Sequence, residues 1–272
     1  MTGTLPPIAG FWAGETLGFI EQLSIQSALD AGHRYLLFSY EPVLNAPSGA
    51  EVRDARTVLA PDEGLTDRRR AVVHSDRFRI ALLQKMRVIW ADLDCVIIRP
   101  VAPLDGHVHG FAKEDRVGTS ILALPPESPT LAAMGAFLGQ RNPVPPWAGP
   151  GLRAEFEAKA AAGARWDLHD LTWGVAGPKA LTYFLNQTGE VAHSQPQAVF
   201  YPIRQGILHW TLADWVHPSQ IETPSTLAVH VFGYARRLLL EQHGGVPPRG
   251  SWLELVCDRH GISPEKAPLS PL

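Results

Sequence analysis

The stretch VIWADLDCVIIRP, residues 88–100, places two acids in a segment that is otherwise apolar enough for a buried strand. Burying a carboxylate without a partner is costly, so both acids need a reason to be there. Side chains at i and i+2 of an extended segment share a side, so Asp92 and Asp94 are expected to converge while Leu93 faces away. Two converging carboxylates suit Mg²⁺ or Mn²⁺. The alternative is that one acid caps a turn and the other pairs with Arg99.

The composition of the chain indicates an ordinary globular protein. Its 272 residues are 45% hydrophobic and 19% charged, which is enough for a sizeable core. A net charge of −3 provides no general attraction to nucleic acid. Two cysteines, Cys95 and Cys257, are too few for a disulfide framework, which fits a reducing compartment. The beginning of the sequence lacks the features of a signal peptide, and the chain has no apolar run of ~18 residues. We therefore expect a cytoplasmic protein without a transmembrane segment.

Short apolar runs alternate with amphipathic segments, and this pattern predicts an α/β fold. A helix over residues 75–86, with Ser75 as its N-cap, leads into the strand that carries the two acids. Residues 42–64 have the composition of a loop. Other predicted strands are 7–12, 34–40, 119–125, 199–203 and 226–233, and other predicted helices are 15–32, 129–140, 152–164, 177–189 and 250–261.

The domain organisation is predicted to be simple. No internal repeat or shift in composition divides the chain, so residues 1–262 are expected to form one domain. The proline-rich segment RNPVPPWAGPG begins an inserted flap over about residues 141–170. Residues 263–272 are expected to be a disordered tail.

The DxD motif by itself is compatible with two metal-dependent chemistries. DxD after an apolar strand is typical of glycosyltransferases that use nucleotide-sugars. DLDCV also satisfies DxDx[TV], the first motif of phosphatases of the haloacid-dehalogenase type. The residues upstream favour the first interpretation, because Asp76 lies three residues before Arg79 and sixteen before Asp92.

The wider pattern is SD-x-x-R-x-x-x-L, a helix, and then a strand that ends in aromatic-x-D-x-D. In this pattern the chain resembles DXD-containing glycosyltransferases typified by α-1,4-galactosyltransferases and initiating α-1,6-mannosyltransferases. It is more distantly similar to the core of the clostridial glucosylating toxins. The resemblance runs from about Pro7 to about Arg237. The matching residues are Ser75, Asp76, Arg79, Leu83, Trp90, Asp92 and Asp94.

The resemblance implies a GT-A-type, Rossmann-like fold with a mostly parallel central sheet that binds a nucleotide-sugar. It also implies metal-dependent transfer, with retention of configuration, to a hydroxyl of a glycan or small-molecule acceptor. A UDP-sugar is the favoured donor, and Mn²⁺ or Mg²⁺ is the implied cofactor. Asp92 and Asp94 match the catalytic motif for the metal and diphosphate. Asp76 and Arg79 match a pair that holds the hydroxyls of the sugar and ribose, although a surface salt bridge at i, i+3 is the alternative.

Four further residues are candidates through the same resemblance. Trp12 matches an aromatic residue near the base, although Trp is also common in cores. His230 matches a late histidine that contacts the metal or diphosphate, and a buried core histidine is the alternative. Arg236 follows it and could bind the diphosphate as a bidentate donor. Asp170 lies where relatives place residues of the catalytic cleft, although N-capping of the next segment would also explain it.

The chain departs from its relatives in ways that keep two rival functions open. Arg87 and Val88 replace a Gly-Gly pair before the strand, and VFGYARR follows the late histidine in place of Trp-Asn. A phosphohydrolase would use Asp92 as its nucleophile, but the later acidic pair of that class is absent. A homologue that binds nucleotide-sugars or glycans without turnover is the third hypothesis. His107 and His109 are weak evidence for zinc, and a solvated loop is the expectation for them.

Overall fold

The computed structural model describes residues 4–204 and 206–269. The strands are β1 (Ile8–Trp12), β2 (Tyr35–Ser39), β3 (Ala50–Asp54), β4 (Ile89–Ala91), β5 (Cys95–Ile97), β6 (Phe111–Lys113), β7 (Arg116–Val117), β8 (Ile121–Leu122) and β9 (Ala228–His230). The helices are α1 (Phe19–Asp30), α2 (Arg68–Lys85), α3 (Pro129–Leu138), α4 (Pro150–Ala161), α5 (Pro178–Thr188), α6 (Gln197–Phe200), α7 (Phe232–Gln242) and α8 (Trp252–Arg259).

The main sheet has five strands in the order β3-β2-β1-β4-β8. β1 pairs in parallel with both β2 and β4, and β2 pairs in parallel with β3. Only β8, at one edge, is antiparallel to its neighbour in this sheet. The predictions of an α/β fold and of a mostly parallel central sheet are therefore confirmed.

Side chains of the sheet alternate between two apolar layers, as the period of two along a strand requires. On one face, residues such as Leu36, Phe38 and Trp90 belong to a buried cluster shared with α2, α3 and α5. On the other face, Leu37 and Ile89 belong to a second cluster, which includes residues of α1. Because both faces are covered, β2 and β4 are buried along their length and almost wholly apolar, as is usual for parallel sheets, whereas the edge strand β3 is polar and largely exposed.

Several predicted elements differ from the structure. α2 begins at Arg68, where the Asp67 side chain accepts a hydrogen bond from the backbone of Arg70, so Ser75 is not the N-cap. The predicted loop at 42–64 contains β3. Residues 199–203 do not form a strand, and the short helix α6 occupies part of this segment. A short apolar run fits a buried strand and a buried helix equally well. The sequence pattern therefore could not distinguish the two at residues 199–203.

The predicted disordered tail requires a correction. Ala267 is 5% exposed and packs in a third apolar cluster with residues of α1, α7 and α8. Its carbonyl accepts a hydrogen bond of 2.8 Å from the backbone N–H of Phe19. This contact with the first residue of α1 orders the segment, and residues 270–272 lie outside the described part of the chain. In the predicted flap, α4 is followed by Trp166, whose ring stacks on Phe156.

None of the described helices is long and apolar enough to cross a membrane. Cytoplasmic localisation stays a prediction.

The two histidines expected in a solvated loop are in fact buried. His107 stacks on His193 with ring centroids 4.0 Å apart, and its Nε2 lies 3.2 Å from Oε1 of Glu190. His109 is fully buried, and its Nδ1 lies 3.0 Å from the hydroxyl of Ser194. Burial, together with the neighbouring histidines, lowers the pKa of His109 to about 4.

This burial of His109 predicts a loss of stability in mild acid. In the folded state the His109 ring is protonated only near pH 4, whereas in the unfolded chain it is protonated near pH 6.5. Stability that is present above pH 6.5 is therefore lost as the pH falls towards 4. The contribution is about 3 kcal/mol. Urea unfolding at pH 7 and pH 4 measures the decline in the free energy of unfolding. His109→Asn should remove most of the decline that is due to His109. An equal decline in the variant would contradict the assignment.

Candidate functional site

A large cleft lies at the edge of the main sheet, between the ends of β1 and β4, where the order of the strands changes direction. From β1 the chain goes to β2 and β3 on one side, and then returns to β4 on the other side. In open α/β sheets, ligands bind outside the carboxyl ends of the strands at such a point. The cleft here is about 1100 Å³. Its walls include Trp12, Ser75, Asp92, Asp94, Arg236 and Lys266.

The DxD segment is a turn and not an extended strand. β4 ends at Ala91, and the backbone N–H of Cys95 donates to the carbonyl of Asp92 over 3.0 Å. The chain then enters β5, which leaves the main sheet and pairs antiparallel with β9. The prediction that Asp92 and Asp94 share one side of an extended strand is therefore wrong. Leu93, which was expected to face away, lines the same cleft as both acids.

Asp92 is held in place by two donors that converge on one of its oxygens. Arg79 Nη2 donates to Oδ1 over 2.8 Å, and Trp90 Nε1 donates to the same atom over 2.7 Å. Within residues 4–204 and 206–269, no hydrogen bond reaches the other oxygen, Oδ2. The alternative pairing with Arg99 is not found, because Arg99 donates instead to the carbonyls of residues 223 and 226. Asp92 thus keeps one oxygen for a ligand.

Arg79 lies behind Asp92, between two acids and one aromatic ring. Its Nη1 donates to Oδ1 of Asp76 over 2.6 Å, and its guanidinium lies 4.9 Å from the ring centroid of Trp90. Asp76 and Arg79 are 6% and 5% exposed, and neither lines the cleft. The pair therefore contacts Asp92, and this structure does not place it where it would touch the hydroxyls of a donor sugar.

The pKa values of this group follow from its burial and its charges. Burial, opposed by the charge of Arg79, raises the pKa of Asp76 to about 6. Burial also acts against the charged form of Arg79, but the charges of Asp92 and Asp76 outweigh it and raise the pKa of the guanidinium. Arg79 therefore stays a cation and fixes the orientation of the Asp92 carboxylate.

Gly177 leaves the space that the Asp76 carboxylate occupies. A Cβ at this position would lie 2.8 Å from Oδ1 and 3.0 Å from Oδ2 of Asp76. We expect Gly177→Ala to lower the free energy of unfolding by about 1–3 kcal/mol, because the buried carboxylate has to move. Chemical denaturation measures the loss, and Gly174→Ala is a poor control because its φ is +73°. Gly151→Ala, in open space in α4, is the matched control and should cost nothing.

Asp94 forms a second ion pair at the same turn. Its Oδ1 lies 3.1 Å from Nε2 of His230 in β9. Burial favours the neutral acid, but the charge and hydrogen bond of His230 outweigh it and hold the pKa of Asp94 below its ordinary value. The same pairing, against the effect of burial, raises the pKa of His230. Asp94 is therefore an ionised carboxylate at neutral pH.

The backbone beside His230 is strained. The ring centroids of Phe232 and His230 lie 4.0 Å apart. The backbone φ of Phe232 is +63°, a value that bulky residues rarely adopt. Such strain is frequent at functional sites. The strand predicted over 226–233 therefore ends at His230, and Phe232 already belongs to α7.

The ligand atoms of Asp94, Cys95 and His230 lie within 4.8 Å of one another, so this group could hold a metal ion. Burial raises the pKa of the Cys95 thiol well above its ordinary value, which makes the sulfur a poor ligand. The ionised Asp94 suits a hard cation, and His230 could join it only after losing its proton. Of the three predicted ligands, Asp94 and His230 belong to this compact group and Asp92 does not. The chemistry of these donors fits a divalent cation, and Asp92, whose Oδ2 accepts no hydrogen bond among the described residues, is a further carboxylate that lines the same cleft.

The remaining predicted residues divide into two groups. Trp12 lines the cleft at the end of β1, and its Nε1 donates to the carbonyl of Thr16 over 3.1 Å. Arg236 also lines the cleft and forms a buried ion pair with Glu21 of α1. Asp170 does not line the cleft. Its Oδ2 accepts a hydrogen bond of 2.8 Å from the backbone N–H of Asp167, so it completes the capping box of the turn at 168–170 and does not cap the segment that follows. Its catalytic role stays a prediction.

Sequence reasoning missed four residues of the cleft as site residues. Ser75 lies in the middle of α2 and faces the cleft, although its position in the SD pattern was a usable signal. Arg68 and Trp173 lie together at the cleft, with the guanidinium 5.8 Å from the ring centroid. Lys266 comes from the segment predicted to be disordered. No local pattern marks Lys266, because only the packing of the chain brings it to the cleft.

Comparisons with known proteins give no family for the chain. No protein-family model matches it, and no curated protein matches it. A similar solved structure is described as "PaToxG Glycosyltransferase". The identity is 14% and the TM-score is 0.46, over 69% of this chain and 71% of that chain. Similarity at this level assigns neither a fold family nor an activity.

Proposed function

We propose that this protein is a metal-dependent glycosyltransferase of GT-A type that takes a nucleotide-sugar, with UDP-sugars favoured, as its donor. The observation that carries the proposal is the turn at the end of β4, which presents Asp92 and Asp94 to the cleft of about 1100 Å³ at the switch point of the sheet. Carboxylates presented to such a crevice suit binding of a nucleotide through a divalent cation. The sequence resemblance to DXD glycosyltransferases supports the same chemistry.

In this proposal the residues of the chain act by position and charge. Arg79 and Trp90 fix the carboxylate of Asp92, and His230 fixes that of Asp94. A cation held there, Mn²⁺ or Mg²⁺, would supply electrostatic stabilisation of the departing diphosphate. Arg236, held by Glu21, adds positive charge at the same wall of the cleft. Trp12 offers its ring to the base.

The group transfer needs no covalent intermediate on the protein. The bond between the anomeric carbon and the phosphate oxygen breaks, and a bond from that carbon to the acceptor oxygen forms. The proton of the acceptor hydroxyl goes to the departing phosphate oxygen on the same face, which retains the configuration. Asp92 and Asp94 are engaged in ion pairs with Arg79 and His230, which suits electrostatic roles for both carboxylates.

The direct test is release of nucleotide from a panel of UDP- and GDP-sugars in the presence of Mn²⁺. We expect release with at least one donor, loss of release with EDTA, and recovery when Mn²⁺ is restored. No release with any donor, while nucleoside diphosphates still bind, would favour the non-catalytic binding protein. Hydrolysis of p-nitrophenyl phosphate should be nil, and activity on it would instead support the phosphohydrolase.

A further inference from the structure

The segment 263–269 forms part of the wall of the donor cleft. Lys266, Ala267, Pro268 and Leu269 line the cleft together with Asp92 and Asp94. This brings the end of the described chain to the same space as the DxD turn. The segment was predicted to be disordered, so its place in the cleft requires a physical anchor.

Ala267 provides that anchor. It is buried in the apolar cluster under α7 and α8, against which Leu269 also packs. The Ala267 carbonyl accepts from the backbone N–H of Phe19, and the N–H of Lys266 donates to the carbonyl of Ser263 over 3.1 Å. The backbone at Lys266 is therefore fixed on both sides, and its side chain is exposed to the cleft.

The arginines at or behind this cleft already have partners, and that of Arg68 is the ring of Trp173, whose centroid lies 5.8 Å from its guanidinium. Arg79 bonds to Asp76 and Asp92, and Arg236 bonds to Glu21. In the part of the chain that the structure describes, the ammonium group of Lys266 makes no hydrogen bond or ion pair. A flexible ammonium group at the wall of such a cleft suits a polyanionic ligand.

We propose that Lys266 is a donor-binding residue, and that the segment 263–269 delivers its ammonium group to the diphosphate of the nucleotide. The proposal rests on the proposed function, because the diphosphate is the part of a nucleotide-sugar that carries the negative charge. Lys266 would add to the charge of Arg236 at the same wall. As a mobile point charge, it can follow the diphosphate as the bond to the sugar breaks.

The test compares binding of nucleoside diphosphates and their nucleosides, measured by calorimetry with Mn²⁺ present. UDP, GDP and ADP are titrated into the wild type, and the tightest of them is carried forward with its nucleoside. Lys266→Ala should weaken binding of the diphosphate about tenfold, because a charged hydrogen bond is lost. Binding of the nucleoside and the melting temperature should stay unchanged. Lys266→Arg should largely restore affinity, and Glu265→Gln, at the exposed neighbour, is the matched control.

The outcomes separate this inference from the function on which it rests. If the wild type binds no nucleoside diphosphate, the proposed function fails, and the role of Lys266 fails with it. If the wild type binds one and Lys266→Ala binds it equally well, only the role of Lys266 is overturned. Equal weakening for nucleoside and diphosphate would also overturn it, since the residue would then act through the shape of the cleft.

Discussion

Replacing Asp94 by asparagine is expected to lower the rate of nucleotide release by about 10²–10³-fold, because the site loses an ionised carboxylate at the cation. Asparagine keeps the volume of the side chain, so the fold should survive. Its neutral amide cannot hold the proton on His230 as the carboxylate does, and the pKa of His230 should fall towards its ordinary value. Steady-state kinetics, with NMR titration of His230, measures both effects.

The matched control for this variant is Asp115→Asn. Asp115 lies in the exposed turn between β6 and β7, so its loss should leave the rate unchanged. If Asp94→Asn released nucleotide at a rate within about twofold of the wild type, Asp94 would have no catalytic role. Loss of even one electrostatic contact to the transition state lowers the rate by more than that.

The second large effect concerns the stability of the group around Arg79. Arg79→Met should lower the free energy of unfolding by about 3–5 kcal/mol, because it leaves the buried Asp76 carboxylate without its cation. Asp92 would also lose one of the two donors that fix it. Urea denaturation at pH 7 measures the loss. Arg69→Met, at an exposed position of the same helix, should change stability by less than about 0.5 kcal/mol.

A double variant separates the ion pair from simple packing. If the cost of Arg79→Met comes from the unpaired charge, adding Asp76→Asn should recover part of it, with a coupling of about 1–3 kcal/mol. Additive losses in Asp76→Asn/Arg79→Met would mean that the two side chains stabilise the fold independently. Nucleotide release should stay low in the double variant, because Asp92 is still without its guanidinium donor.

The sequence predicted the centre of the site but not its geometry. The apolar strand before Asp92 and the spacing back to Asp76 and Arg79 indicated that these residues belong together, and ion pairs join them in the structure. The turn after Ala91 was not predictable from the residue types, because the apolar run continues on both sides of it. Whether a polar residue faces the cleft or lies behind it depends on how α2 packs on the sheet.

Residues far apart in the chain escaped prediction for a different reason. Glu21 pairs with Arg236, and Lys266 reaches the cleft, only because the segments that carry them pack together around the third apolar cluster. The tail was predicted to be disordered, but one buried alanine and one backbone hydrogen bond were enough to order it. Such contacts leave no periodic signal in the sequence.

The most direct test of the central claim is anomalous X-ray scattering from a crystal soaked with Mn²⁺ and UDP. The account predicts a manganese peak bound by Asp94, next to Asp92, and in contact with the diphosphate. The contrary result is an empty DxD turn in a crystal that binds UDP elsewhere or not at all, with Asp92 still bonded only to Arg79 and Trp90 and Asp94 only to His230.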